Sequence, residues 1–248
     1  MSFFEAVISG IVQGAAEFLP ISSSGHLVIL HRLIGIGEPQ IGFDIFLHLG
    51  TLLAIFIVFG KDILECFTSK KRIGFLVIAG SVVTVAWVLV FGKGIEASFG
   101  NPKTVGAMFI VTGAWLILGS FVRFGTEGLT GLKAVLIGLA QGIAVMPGIS
   151  RSGATISTGL FLGLSGDMAA RFSFLLSIPA VIGAVLFKVR DGGAGFGGFS
   201  GYYIAGFAAA LVTGVFSLKL LLRMLAKSRF HWFGIYCILL GISVLLFL

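Results

Sequence analysis

Two short polar stretches interrupt an otherwise apolar sequence, and they hold the side chains best suited to chemistry. QGAAEFLPISSSGH runs from Gln13 to His26, and QGIAVMPGISRSGA runs from Gln141 to Ala154. Aligned, Gln13, Gly14 and Ala16 match Gln141, Gly142 and Ala144, while Ile21, Ser22, Ser24 and Gly25 match Ile149, Ser150, Ser152 and Gly153. The copies diverge where chemistry would sit: Glu17 faces Val145, Ser23 faces Arg151, and His26 faces Ala154. An apolar repeat with two different polar fillings implies one site assembled from two half-sites.

The fillings suit an anion. Gln13 and Glu17 are four residues apart and share one helix face. A carboxylate inside apolar sequence is costly and usually functional. Ser22, Ser23 and Ser24 precede Gly25 where a helix would begin. One hydroxyl is enough to cap it, and the exposed N–H groups beside a glycine form an anion-binding helix start. His26 is able to exchange a proton near neutral pH. In the second copy, Ser150 and Ser152 flank Arg151, with Gly153 and a helix start following. A guanidinium fork matches a pair of phosphate oxygens. Thr155, one turn on, either adds a hydroxyl or packs helices. Asp44 and His48, four apart, are weaker candidates for the same site, and Asp167 and Arg171 read as an interfacial ion pair. The whole describes an electropositive pocket beside one carboxylate, suited to a phosphate or pyrophosphate group.

The elements that must position these residues are membrane helices. The chain has 248 residues, 57% of them apolar and only 11% charged, with a mean hydropathy of +1.11. Seventeen basic and ten acidic side chains are too few to cover a soluble domain of this size. Thirty-seven glycines fit helices that approach closely in lipid. The net charge of +7 comes from basic residues in short gaps between apolar segments, which speaks for topology signals and anionic lipid, not nucleic acid. Cys66 and Cys237 stand alone, without metal-type or disulfide spacing. The N-terminus lacks a basic region and a cleavage pattern, so it reads as part of the mature protein.

Six segments read as spans, at about 43–60, 74–92, 104–122, 172–188, 202–222 and 231–248. Residues 3–18 and 25–35 are too short to cross and are separated by Leu19-Pro20 and the serines. Residues 132–146 and 153–165 repeat that plan around Pro147-Gly148. These pairs read as two re-entrant helix-loop-helix hairpins, whose irregular backbone is tolerated only inside protein or beside a polar cavity. One hairpin plus three spans per half is an odd number of crossings. Hence the halves, about 1–122 and 129–248 of a single membrane domain, are expected as an inverted-topology repeat of an all-α fold. Basic residues then set the orientation. Lys61, Lys70, Lys71, Arg72, Arg123, Lys133, Arg171, Arg223, Lys227 and Arg229 fall on one side; Arg32, Lys93, Lys103, Lys188 and Arg190 fall on the other. The richer side is expected to be cytoplasmic, with both termini and the mouth of the first hairpin outside. Gly192–Gly198 reads as a flexible external loop.

The motif (Glu/Gln)-x-x-x-Glu, then Pro and Ser-Ser-x-Gly-His, stands here as Gln13, Glu17, Pro20, Ser22, Ser23, Gly25 and His26. Its partner, Pro-Gly-x-Ser-Arg-Ser-Gly-Ala-Thr, occupies 147–155. Together with FSFLLSIPAVIGA at 172–184, these resemble the undecaprenyl-pyrophosphate phosphatases of the bacitracin-resistance type over the whole chain. The resemblance implies an integral inner-membrane hydrolase that removes the terminal phosphate of a polyprenyl pyrophosphate, recycling the carrier lipid for cell-wall synthesis. It implies that Glu17, Ser23 and Arg151 are the principal active-site positions, that His26 is the motif histidine, and that Mg²⁺ or Ca²⁺ supports activity. Gln13, where the family also has Glu, removes one possible metal ligand and leaves Glu17 as the candidate. Ser23 is then the candidate nucleophile, with His26 or Glu17 taking its proton; attack by a water that Glu17 activates is the other route.

Two further readings compete. Broken helices in an inverted repeat are also a transporter plan, so the same pocket could carry phosphate or flip a phosphate-bearing lipid. Ser24-Gly25-His26 hints at a phosphatidic-acid type phosphatase, but the required Lys-x6-Arg-Pro is missing and His231 is the only histidine after Arg151. Glycine-rich faces allow a homodimer in the membrane.

Overall fold

A computed structural model describes residues 1–35, 41–96, 101–122, 125–190, 201–226 and 230–248. These residues form ten helices and no strand. They are α1 (Phe3–Phe18), α2 (Ser23–Leu33), α3 (Ile41–Phe67), α4 (Lys71–Glu96), α5 (Pro102–Ser120), α6 (Gly131–Ile143), α7 (Arg151–Phe161), α8 (Gly166–Arg190), α9 (Gly201–Ala226) and α10 (His231–Phe247). Five of them, α3, α4, α5, α8 and α9, are long and apolar enough to cross a bilayer. The sixth expected span, α10, is apolar but has 17 residues, at the short end of what a bilayer requires. The expected loop Gly192–Gly198 lies outside the described residues, as do Arg123, Lys227 and Arg229 of the charge count.

The outer surface is greasy. Leu89 is 79% exposed, Phe216 69% and Phe247 82%, and such surface is stable only against lipid. Buried contacts are made by small residues and by a few aromatics, with Phe18, Phe59, Phe109, Phe172 and Phe174 at the centre.

Local sequence sets the helix ends. A capping box starts α1: the Ser2 hydroxyl accepts from the Glu5 N–H and the Glu5 carboxylate accepts from the Ser2 N–H. Leu19-Pro20 ends it. Thr130 caps α6 and Ser150 caps α7. Pro179 lies inside α8, which runs through it as the expected span at 172–188 does. α3 runs on to Phe67, past Lys61 and Asp62, with non-helical torsions at Phe59. Asp62 there accepts two hydrogen bonds from Arg171, at 2.7 and 2.8 Å, while Asp167 accepts a third at 2.7 Å. The expected Asp167–Arg171 pair is therefore part of a triad tying α8 to α3.

Contacts between the two halves come in matched pairs. α1 lies along α9 as α6 lies along α4; α3 packs on α9 as α8 packs on α4; α3 meets α8, and α5 meets α10. Two glycines make the first of these correspondences possible. A Cβ on Gly10 would strike the Gly206 carbonyl of α9, and one on Gly138 would strike the Gly80 carbonyl of α4. Backbone thus meets backbone, as small residues permit in membranes.

This close approach is testable. Gly138→Val should destabilise the protein by about 1–3 kcal/mol through overpacking, lowering the thermal unfolding midpoint in detergent. Gly183→Ala, whose new Cβ meets nothing within 4 Å, should leave it in place. An unchanged midpoint for Gly138→Val would disprove the tight α4–α6 contact.

Candidate active site

The first break joins α1 to α2 through Leu19, Pro20, Ile21 and Ser22. Ser22 has φ 68° and ψ 97°, and among the described residues it is the one non-glycine with positive φ. Such a backbone costs about 1–3 kcal/mol and persists only when its surroundings over-determine it. Here the Ser22 hydroxyl accepts from the Gly25 N–H (3.4 Å). Its carbonyl accepts from the His26 N–H (3.2 Å) and sits 2.8 Å from His26 Nδ1. The turn aims the next residue back at α1, so that Ser23 Oγ donates to Glu17 Oε2 at 2.6 Å. Gln13 Nε2, one turn earlier on α1, donates to the same oxygen at 3.0 Å.

The second break, between α6 and α7, turns at Gly148 (φ 94°) instead. Thr112 of α5 braces it: its hydroxyl donates to the Gly148 carbonyl (2.9 Å) and accepts from the Ser150 N–H (3.0 Å). Ser150 caps α7 through the Gly153 N–H (3.1 Å). Arg151, the first residue of α7, sends Nη2 across to Glu17 Oε1 and lies beside the Ser177 carbonyl of α8, 3.5 Å from Nη1. Ser152 Oγ reaches the Leu19 carbonyl of the first break at 3.5 Å. The two breaks therefore touch, and Glu17, only 8% exposed, takes three donors from both halves.

A cavity of ≈ 190 Å³ opens here, lined by Glu17, Ser22, Ser23, Ser24, Ser150 and Arg151 from the two motifs. Small apolar residues complete it, including Ala180, Val181 and Ala184 of α8. The volume suits a headgroup, not a lipid chain. Six of the expected residues thus converge on one space. The other six stand behind it. Gln13 is fully buried against Glu17. Gly25 and Gly153 supply cap N–H groups, and Ser152 bridges the breaks. Thr155 is fully buried, bonded to the Arg151 carbonyl (2.8 Å) and to Ser173 (2.5 Å), which is a packing role. His26 does not line the cavity. Its Nε2 is 2.7 Å from the Tyr236 hydroxyl of α10.

Three more polar residues line the wall: His48, Thr84 and Gln141. His48 Nδ1 is 2.8 Å from the Asp44 carbonyl, so of that pair only the histidine lines the site. Gln141 Nε2 donates to Thr84 (3.2 Å) and to the Leu176 carbonyl (3.3 Å). Thr84 lies in an apolar helix outside both motifs, without a sequence signal. Gln141 was visible as the counterpart of Gln13.

The donors available to a metal are hard oxygens: the Glu17 carboxylate, the Ser23 hydroxyl and Gln13 Oε1, which is buried without a hydrogen-bond partner. They fit Mg²⁺ or Ca²⁺ better than a softer ion. No cluster of three His, Cys, Asp or Glu occurs among the described residues, so such an ion would draw its remaining ligands from phosphate and water.

Residues 6–243 match the model of the family described as bacitracin resistance protein BacA. An undecaprenyl-diphosphatase from Carboxydothermus hydrogenoformans is 42% identical, over 99% of this chain and 97% of its own length. Another from Desulfosudis oleivorans is 42% identical, with 97% of each chain covered. A third, from Desulfatibacillum aliphaticivorans, is 39% identical over 99% of this chain and 98% of its own. With two broken helix pairs meeting at one ion pair and nearly every residue within the matched region, the chain belongs to the BacA bacitracin-resistance family.

Proposed function

We infer that this chain is an integral-membrane phosphatase that hydrolyses undecaprenyl pyrophosphate to the monophosphate and inorganic phosphate, returning the carrier lipid to cell-wall synthesis. The observation that carries the reading is the Ser23–Glu17–Arg151 chain of contacts at a headgroup-sized cavity, in a family whose relatives bear that activity in their names. The helix starts at Ser23 and Arg151 line the cavity, and with the guanidinium they attract the pyrophosphate and the charge that spreads over it in the transition state.

The geometry favours Glu17 as the base. The Ser23 proton already points at Glu17 Oε2. An incoming phosphate competes for Arg151, and a carboxylate released from its cation is a stronger base. Ser23 Oγ then attacks the terminal phosphorus; its proton passes to Glu17 and on to the departing lipid monophosphate as the bond to the bridging oxygen breaks. Water hydrolyses the phosphoserine, Glu17 taking the water's proton and returning it to Ser23 Oγ as inorganic phosphate leaves. A divalent ion held by Glu17, with Ser23 and Gln13 beside it, would neutralise phosphate charge when bound. The isoprenoid tail leaves sideways past Ala180 and Ala184, of which Ala184 is exposed on the outer face of α8.

The architecture supports two further points. The matched packing of the two halves supports an inverted repeat of 1–122 and 129–248, with each broken pair a re-entrant hairpin beside three spans. The charge asymmetry supports external termini and an active site open to the outer face of the plasma membrane. The glycine-rich faces leave room for a homodimer.

Phosphate release from a polyprenyl pyrophosphate by detergent-purified protein tests the reading. Glu17→Ala and Arg151→Ala should each lose about a hundredfold or more, as expected when a transition-state charge contact is removed. Folded native protein that releases none would favour the transporter reading. Ser23→Ala should be comparably inactive; full activity would assign the attack to water. Chelation of divalent ions should depress the rate, with Mg²⁺ or Ca²⁺ restoring it, and a rate indifferent to chelator would remove the metal from the scheme.

A further inference from the structure

His26 belongs to the first motif, yet its ring lies outside the cavity. It sits edge-on to Phe109 of α5, with centroids 5.2 Å apart and planes at 88°, and stacked on Tyr236 of α10 at 5.7 Å and 9°. Both ring nitrogens have partners, and those partners assign the tautomer. A carbonyl only accepts, so Nδ1, 2.8 Å from the Ser22 oxygen, carries the proton. Nε2 of the neutral ring is then an acceptor, and the Tyr236 hydroxyl at 2.7 Å donates to it. Neither nitrogen is left to receive a proton from Ser23, whose own hydrogen bond goes to Glu17.

What the ring does hold is the left-handed Ser22 peptide. The second motif serves as an internal control. Ala154 stands where the first has His26, and there the serine before the helix, Ser150, has an ordinary φ of −79°. Ring and positive φ at the capping serine occur together in the first break and are both missing from the matching positions of the second, whose positive φ falls on Gly148. α10 buttresses the arrangement twice, because Cys237, next to Tyr236, places Sγ 3.8 Å from the Pro20 carbonyl.

We propose that His26 is a positioning residue: its Nδ1–H clamps the Ser22 carbonyl so that the Ser23 hydroxyl is aimed at Glu17, and Tyr236 fixes the tautomer and plane of that ring. The proposal rests on the phosphatase reading of the site for its kinetic consequences, but not for its geometry.

Two measurements on the full-length protein in detergent decide it. In the phosphate-release assay, His26→Ala should lose about a hundredfold in kcat, the scale of a misplaced reacting group. His26→Asn, whose amide N–H falls near the Nδ1 position, should recover most of that loss, whereas His26→Gln, whose amide falls near Nε2, should not. Tyr236→Phe keeps the stack and removes the donor; it should lower kcat by about three- to tenfold with KM unchanged, the size of one net hydrogen bond. If His26→Asn is as inactive as His26→Ala while still folded, or if Tyr236→Phe matches the native rate, the clamp is refuted. Selective ¹⁵N-histidine spectra give a readout without substrate. The His26 resonances, assigned by their loss in His26→Asn, should show a protonated Nδ1 and a bare Nε2, and Tyr236→Phe should perturb Nε2. The opposite tautomer would overturn the proposal. A native protein that releases no phosphate would sink the phosphatase reading instead, leaving the spectra to judge the clamp.

Discussion

The ion pair between Glu17 and Arg151 is the constraint on which the site depends. Each charge stands at the wrong end of its own helix. Glu17 lies in the last turn of α1, where partial negative charge accumulates, and Arg151 opens α7, where partial positive charge does. Neither would be stable there alone in a mostly apolar surrounding, since an unpaired buried charge costs several kcal/mol. Together each relieves the other, but the pair remains poised for an anion, because an incoming phosphate meets a guanidinium and the starts of two helices at one cavity. The serines, the glycines that let backbone approach and the bracing Thr112 all serve to bring these two side chains to one place.

The matched halves explain how a small chain builds such a place. Each supplies a helix that ends, an irregular turn and a second helix that begins, and the two turns come into contact through Ser152 and Leu19. The scaffolding is shared while the fillings are not. One half carries the carboxylate and the hydroxyl, and the other carries the cation. Even the turns differ: the second uses glycine for its positive φ, while the first places that torsion on Ser22, so that the following serine is delivered at the carboxylate.

Much of this was legible in the sequence. The duplicated motif located both breaks, and the positions where its polar fillings differ singled out Glu17, Ser23 and Arg151, because a charge in apolar sequence demands a partner. Helix extents were less legible. Lys61 and Asp62 look like the end of a span, but α3 continues through them, and Asp62 turns out to be occupied by Arg171 from α8. The direction of His26 was not legible at all. It follows from a backbone torsion that serine disfavours and no residue type announces, and from a tyrosine that is distant in the chain. Thr84 was hidden for a similar reason: only the packing of α4 on α6 brings its hydroxyl to Gln141.

The shared site also bears on biogenesis. Glu17 and Arg151 are 134 residues apart, so at ~5–20 residues per second a ribosome makes the cation roughly 7–27 s after the carboxylate. The support of the first break comes later still, since α9 lies along α1 and α10 supplies Tyr236 and Cys237. A nascent chain therefore carries an acidic residue in apolar sequence with no mate until more than half of the protein has been made. Chains that stop before α10 lack the Tyr236 and Cys237 contacts at the first break, so the site as described is complete only once the final helix is in place.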